Sequence, residues 1–248
     1  MSLFDQDRPF LDALPPVDRT ALLAEGRPRH YEPGEVLIRE RDTTAHVLAL
    51  LSGWSVVSVE TERGARLILA LRGAGDLAAV DQRPRSATVT ALGRVEAVAV
   101  PGDRFRRFLG ARPHATALVL RQLSTRLRSA DVERRALASE TVLQRLAARL
   151  VELAQRAGRR GESGTVLELP LPQHDLASAI GATREAVAKA LRLLREQNVV
   201  RTANRRVIVT DMPLLLLLAR DGRPPSAGPA KGHGAAPDGP AEKTPPGV

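Results

Sequence analysis

The chain contains no cysteine. That absence excludes a disulfide framework, a thiolate-ligated zinc site and a cysteine-held iron–sulfur cluster, and it leaves no thiol for redox sensing. Lysine is nearly missing too, since the basic residues other than Lys189, Lys231 and Lys243 are all arginine. No long hydrophobic run exists: the densest, Leu214 to Ala219, falls far short of the roughly 20 residues that span a bilayer, so it predicts a packing helix and no membrane association. The opening MSLFDQDRPFLDALPP is acidic and polar where a signal peptide would be basic and then apolar, so no export signal is expected and a cytoplasmic location is predicted. There is no glycine-rich phosphate loop, metal-binding helix motif or nucleophile elbow, and His30, His46, His114 and His174 show no metal-ligand spacing. Neither an enzyme nor a metal or haem site is expected.

What is present is positive charge. With 37 Lys and Arg against 28 Asp and Glu, the net charge of +9 makes a polyanion the natural partner, because clustered cations release condensed counterions when they meet phosphate.

Patterning divides the chain. From Arg29 to Val100 short apolar runs alternate with glycine-bearing turns, among them Glu35-Val-Leu-Ile38, His46-Val-Leu-Ala-Leu-Leu51, Ser55-Val-Val-Ser-Val59 and Val95-Glu-Ala-Val-Ala-Val100, the rhythm of an all-β barrel or sandwich. A short helix over about 16–24, with Asp12 and Pro16 as start signals, precedes it. After Pro101 the period becomes helical: a short piece at 104–109, then a long helix over about 113–137 in which Leu118, Leu120, Leu123, Leu127, Val132 and Leu137 form a stripe among arginines. The stripe predicts a dimer interface of coiled-coil type, or else packing on the chain's own barrel. A further helix over about 140–156 ends at Ala157-Gly158, and Arg159 to Gly164 reads as a loop. From about 223 onward Pro, Gly and Ala dominate, which predicts a disordered tail over 223–248.

Between 170 and 210 a short strand ending at Leu169-Pro170, a helix over 173–180, a turn at Gly181, a second helix over 183–197 and two strands, 199–202 and 206–210, make a winged helix-turn-helix. Leu176, Ala177 and Ile180 face Val187, Leu191 and Leu194, and Gly181 permits the sharp turn between them. Thr183 stands where a hydroxyl caps the second helix and reaches a phosphate, while Arg184, Glu185 and Lys189 lie on its outward face. In a major groove Arg184 could pair with a guanine edge and Glu185 accept from a cytosine amino group; an ordinary solvated Glu185–Lys189 pair is the plainer alternative. Arg201, Arg205 and Arg206 near the wing suit phosphate contacts.

Gly181-Ala-Thr-Arg-Glu-Ala-Val-Ala-Lys-Ala-Leu191, followed by Leu194-Arg-Glu-Gln-Asn-Val199, resembles the recognition helix of the Crp/Fnr regulators. Tyr31-Glu-Pro-Gly-Glu35, Leu51-Ser-Gly53, Leu69 to Asp76 and Pro84 to Val89 stand in that family's order, so the similarity runs from near Pro9 to Thr210. The resemblance implies an α+β chain: an N-terminal cyclic-nucleotide-binding-type β-roll (jelly roll) over 1–110, a dimerisation helix over 111–138 and a winged helix over 139–222. It further implies a homodimer that binds a palindromic operator in double-stranded DNA and contacts RNA polymerase. Where the family commonly has arginine this chain has Lys189, which keeps the charge without the planar fork and predicts an altered operator preference.

In members that bind cyclic nucleotides an Arg-Ser pair holds the cyclic phosphate and an upstream Gly-Glu pair reaches the ribose. Arg85-Ser86 matches the first and Gly75-Asp76 precedes it, but the segment between Asp76 and Arg85 is about four residues short and has no Gly-Glu pair. Counting without gaps from Arg126-Leu127 to Arg145 places Ala130-Asp131 where adenine would be contacted, and neither suits a base on an anionic ligand. Gly75, Asp76, Arg85, Ser86, Ala130 and Asp131 are thus a ligand set that predicts weak or no binding of cyclic AMP, with Arg85 paired structurally to Asp81 or Asp76. A cyclic-nucleotide-binding module that regulates another protein is the alternative function.

Overall fold

The computed structural model describes residues 8–222, apart from 63, 65, 79, 81–83, 168, 170–171 and 204–205. Asp81, Arg205 and the expected tail therefore lie outside the described residues. Two short helices, α1 (Phe10–Ala13) and α2 (Pro16–Ala24), lead into β1 (Arg27–Tyr31), β2 (Val36–Ile38), β3 (His46–Ser52), β4 (Ser55–Glu60), β5 (Arg66–Arg72), β6 (Leu77–Ala78), β7 (Thr88–Ala91) and β8 (Val95–Pro101). Asp12 belongs to α1 and not to the start of α2; Pro15 cannot continue a helix from α1, and Pro16 opens α2 at its first turn.

The strands form two four-stranded antiparallel sheets, ordered β1-β8-β3-β6 and β2-β7-β4-β5. Strand β3 shows why a nearly continuous apolar run forms here. Its side chains alternate between faces, so Leu48 and Leu50 meet Ile38, Val89 and Ala97 between the sheets, while Val47 and Ala49 meet Phe10, Leu11, Phe105 and Val119 on the other side. A sheet covered on both faces needs apolar residues at successive positions. Phe10 and Phe105 meet edge to face with centroids 6.5 Å apart, which ties α1 to α3 (Gly102–Gly110).

Helix α4 (Pro113–Ser139) runs 27 residues, about 40 Å at 1.5 Å per residue. Its buried face is Ala115, Val119, Gln122, Thr125 and Ala136, and of the expected stripe Leu118 packs beside them on the roll's core. Leu120, Leu123, Leu127, Val132 and Leu137 are all exposed, Leu127 by 65%. Within one chain the roll does not cover them.

A break at Glu140 separates α4 from α5 (Val142–Ala157), which Thr141 and Gln144 open with reciprocal side-chain-to-backbone hydrogen bonds. Segment 159–164, read above as a loop, is part of a hairpin: β9 (Gly158–Gly161) pairs with β10 (Gly164–Leu167), and the two join β11 (Val200–Ala203) and β12 (Arg206–Val209) in a sheet ordered β11-β12-β10-β9. Gly164 makes it possible, with φ of +128° and the Val209 carbonyl where a Cβ would stand. Of the strand expected to end at Leu169-Pro170, β10 is described as far as Leu167, and residues 168 and 170 lie outside the described residues. Helix α8 (Met212–Asp221) begins at Asp211, whose carboxylate accepts from the Leu214 N–H, and it packs Leu215 and Leu218 on Leu146 and Leu150 of α5.

Candidate nucleic-acid interface and the cavity of the β-roll

Two helices and a hairpin position the reading face. Helix α6 (Gln173–Ala179) and helix α7 (Arg184–Glu196) bury Leu176, Ala177, Val187, Leu191 and Leu194 against α5, and Gly181 makes the turn between them with φ of +59°. A side chain at Gly181 would be strained and would also strike Leu137 Cδ2, 2.6 Å from an ideal Cβ. The end of α4 therefore abuts the turn. Arg145 clasps both: Nε donates to the Ile180 carbonyl at 2.9 Å, Nη2 to Gly181 at 3.4 Å and Nη1 to Glu140 at 2.7 Å.

Beside this clasp lies a buried charge cluster. Arg149, wholly inaccessible, meets Glu152 at 2.6 Å and Glu133 of α4 at 3.5 Å, and donates to the Ala179 carbonyl at 3.0 Å. Burial holds the Arg149 guanidinium below its ordinary value against the pull of both carboxylates, and burial raises Glu133.

On α7 the core takes Val187, Ala190, Leu191 and Leu194, so Arg184, Glu185, Lys189 and Arg192 are left exposed along the opposite side. Thr183 caps the helix, its hydroxyl accepting from the Ala186 N–H at 3.2 Å. The Glu185 carboxylate bends back to its own backbone N–H and to the Thr183 hydroxyl, which with Arg184 hold it below the usual carboxylate range. Arg192 was not singled out in the sequence, although its position three residues beyond Lys189 continues the stripe; its guanidinium pairs with Glu196 at 3.4 Å. Arg201 on β11 and Arg206 on β12 are exposed on the wing hairpin, where Ala203 pairs with Arg206.

The second set of predicted residues does not converge on one point. Gly75 and Asp76 form a tight turn: Gly75 has φ of +85°, and Asp76, 1% exposed, accepts from the Gly73 N–H at 2.9 Å and lies 3.8 Å from Arg156 of α5. Arg85 donates to the Thr44 and His46 carbonyls and so staples the loop between β2 and β3. A cavity of about 150 Å3 opens beside Arg85 and Ser86, walled by Val57, Leu77 and Val89 of the roll and by Leu123 and Arg126 of α4. Ala130 and Asp131 do not line it; Asp131 is exposed and pairs with Arg134 at 3.5 Å. A larger open cleft, about 650 Å3, lies on the outside of the roll beside Arg27, Arg29 and Arg104. Among the described residues no cluster suited to a metal ion occurs, and no helix is long and apolar enough to cross a membrane.

Residues 28–112 match the cyclic nucleotide-binding domain and residues 144–218 the Crp-like helix-turn-helix domain. The chain belongs to the Crp/Fnr family of transcription regulators. It is 28% identical over 204 residues to a CRP-like cAMP-activated global transcriptional regulator of Mycobacterium tuberculosis, covering 81% of this chain and 91% of that protein. It is 27% identical over 212 residues to the cyclic AMP receptor protein of Thermus thermophilus, covering 84% and 94%. A CooA mutant from Carboxydothermus hydrogenoformans shares the fold with a TM-score of 0.72 at 20% identity, covering 88% of this chain and 99% of that one. This Crp/Fnr chain is thus a transcription regulator with a helix-turn-helix DNA-binding domain and a cyclic nucleotide-binding-type domain.

Proposed function

We propose that this Crp/Fnr regulator binds a two-fold symmetric operator as a homodimer, with α4 as the seam and α7 in the major groove. The observation that carries the reading is the leucine stripe of α4, which stands in solvent beside a helix-turn-helix whose outward face is also open. Pairing the stripe with its symmetry mate removes apolar surface from water at about 25 cal/mol per Å2. It also sets two copies of α7 about one DNA turn apart, roughly 34–36 Å.

Arg184, Glu185 and Lys189 serve as base readers in this scheme, with Arg192 extending their row. Thr183, Arg201, Arg205 and Arg206 contact phosphates and fix register. Residues 1–110 act as the sensor, 111–138 as the dimerisation element and 139–222 as the reader. RNA polymerase is the further partner and the cytoplasm the compartment, as in the family. Cyclic AMP is not the principal effector: Arg85 is committed to main-chain carbonyls, and a cavity of about 150 Å3 is below the roughly 300 Å3 at which pockets for drug-sized ligands begin. Nothing specific favours the alternative of a module that regulates another protein.

Selection of DNA from a random pool by the purified protein, with and without cyclic AMP, tests the reading. A palindromic consensus recovered equally in both arms is expected. Recovery only with cyclic AMP overturns the effector part, and no enrichment in either arm overturns operator binding.

A further inference from the structure

The outer cleft, about 650 Å3, lies along strand β1, which ends its sheet. Side chains of a strand alternate, so Arg27, Arg29 and Tyr31 stand on one face of β1 while Pro28 and His30 stand on the other. Opposite Arg27 and Arg29 in the register are the small residues Ala99 and Ala97 of β8. Leu37 of β2, Ala45, His46 of β3 and Arg104 of α3 complete the walls, and the volume falls within the roughly 300–1,000 Å3 of sites for small organic ligands. Arg27 and Arg29 are exposed, and among the described residues neither has a hydrogen bond or an ion pair. The one carboxylate among the described lining residues, Glu25, is taken by Arg104 at 3.4 Å. Burial raises the Tyr31 phenol and lowers the His46 imidazole, so both stand uncharged at neutral pH as hydrogen-bonding groups on the wall. Cations on an edge strand also discourage strand addition, but that role needs neither a hollow nor half-buried rings beside the cations.

We propose that this cleft binds a small organic phosphate monoester, its head between Arg27 and Arg29 and its ring system against Tyr31, Leu37 and Ala45. Residues two apart on a strand stand about 6.6 Å from each other, close enough for two guanidinium groups to close on one doubly charged head with paired N–H donors. The apolar walls reward a ligand with an apolar body, which inorganic phosphate and an acidic peptide both lack. A nucleotide and an aryl phosphate share this chemistry. The site lies on the outside of the roll, apart from the cavity beside Arg85, and the proposal does not rest on operator binding.

Calorimetric titration of the full chain with 5′-AMP, with phenyl phosphate and with inorganic phosphate tests this directly. At least one of the two esters is expected to bind once per protomer and at least tenfold more tightly than inorganic phosphate, and the tighter of the two identifies the source. Replacing both cations, Arg27→Gln with Arg29→Gln, should weaken the ester at least tenfold, and Tyr31→Phe severalfold. Because both arginines are exposed, the unfolding temperature of the free double variant should stay that of the natural chain. In amide spectra the resonances of Arg29, Ala45 and Ala99 should shift on binding while those of β7, beside the inner cavity, stay in place. No binding of either ester overturns the proposal, as does binding that survives the double variant or shifts centred on β7. Inorganic phosphate bound as tightly as the esters means an adventitious ion only and overturns it equally. Binding of hexaglutamate in place of both esters assigns the cleft to an acidic protein segment and overturns it too.

Discussion

The hydroxyl of Ser178, on the first helix of the helix-turn-helix, accepts a hydrogen bond from the Ile68 N–H at 3.0 Å and donates to the Arg66 carbonyl. Strand β5 is the edge of its sheet, and one side chain from α6 satisfies two of its open main-chain groups. Asp175 of the same helix meets the Arg66 guanidinium at 3.6 Å, and the core around α5 to α8 continues into Val56, Ile68 and Leu71 of the roll. Ser178→Ala should weaken this docking by about 1–3 kcal/mol, since both main-chain groups lose their partner. Hydrogen exchange reads it: the Ile68 amide should exchange faster while the amides of β3 stay protected.

Removing Arg149 should be among the most damaging single changes in the chain. Arg149→Ala leaves Glu133 and Glu152 facing each other without their cation and costs about 3–5 kcal/mol, as for other half-broken buried pairs. Glu133→Gln, which keeps the shape and removes a carboxylate already raised by burial, should cost much less. Urea midpoints of the two variants would separate these effects, and equal losses would mean that the cluster is held by shape and not by charge.

Leu127→Glu puts a carboxylate in the proposed seam without disturbing the interior of one chain, because Leu127 is exposed there. The dimer should dissociate with a constant raised about a hundredfold or more. Light scattering shows the oligomeric state and circular dichroism shows that the fold survives.

On the reading face two substitutions should part company. Glu185→Ala should relax discrimination at one base pair per half-site by about 1–3 kcal/mol. Arg206→Ala should weaken binding to every sequence alike and make the salt dependence shallower by about 0.9 in slope. Gel-shift titrations on operator variants at several salt concentrations distinguish them.

His46 should make the roll acid-sensitive. Burial, and secondarily the positive charge of Arg85, hold its imidazole below the ordinary value of 6.5. The unfolded chain takes up a proton near pH 6.5 that the folded chain takes up only lower, so stability present above that pH is lost as pH falls through the folded value. Unfolding temperatures measured from pH 7 to pH 5 should fall more steeply for the natural chain than for His46→Gln.

Strongly periodic elements were legible in the sequence. The runs at 46–51 and 95–100 became β3 and β8, and the Gly181 turn appeared where its neighbours' small and apolar pattern placed it. The β9–β10 hairpin was not legible: Gly158 to Gly164 carries arginine and glycine, the residues of a loop, and only pairing with β12 through Thr165 and Val166 makes it a strand. Strand β6 is two residues long and offers no period to read. Of the candidate site residues, those on α7 share a face because helical spacing dictates it. Arg72 and Arg126, which line the cavity beside Arg85, share no spacing in the sequence, because one stands at a strand end and the other on a distant helix.

Arg145 holds the hinge at Glu140 and the turn at Gly181 through main-chain oxygens alone. Any amino acid at 140 or 180 presents the same acceptor, so the clasp makes no demand on the identity of its targets. Over evolutionary time the residues around the turn are thereby free to drift toward new operators while the joint that aims them stays closed, and the constraint falls on the one arginine and on the glycine that lets the backbone pass.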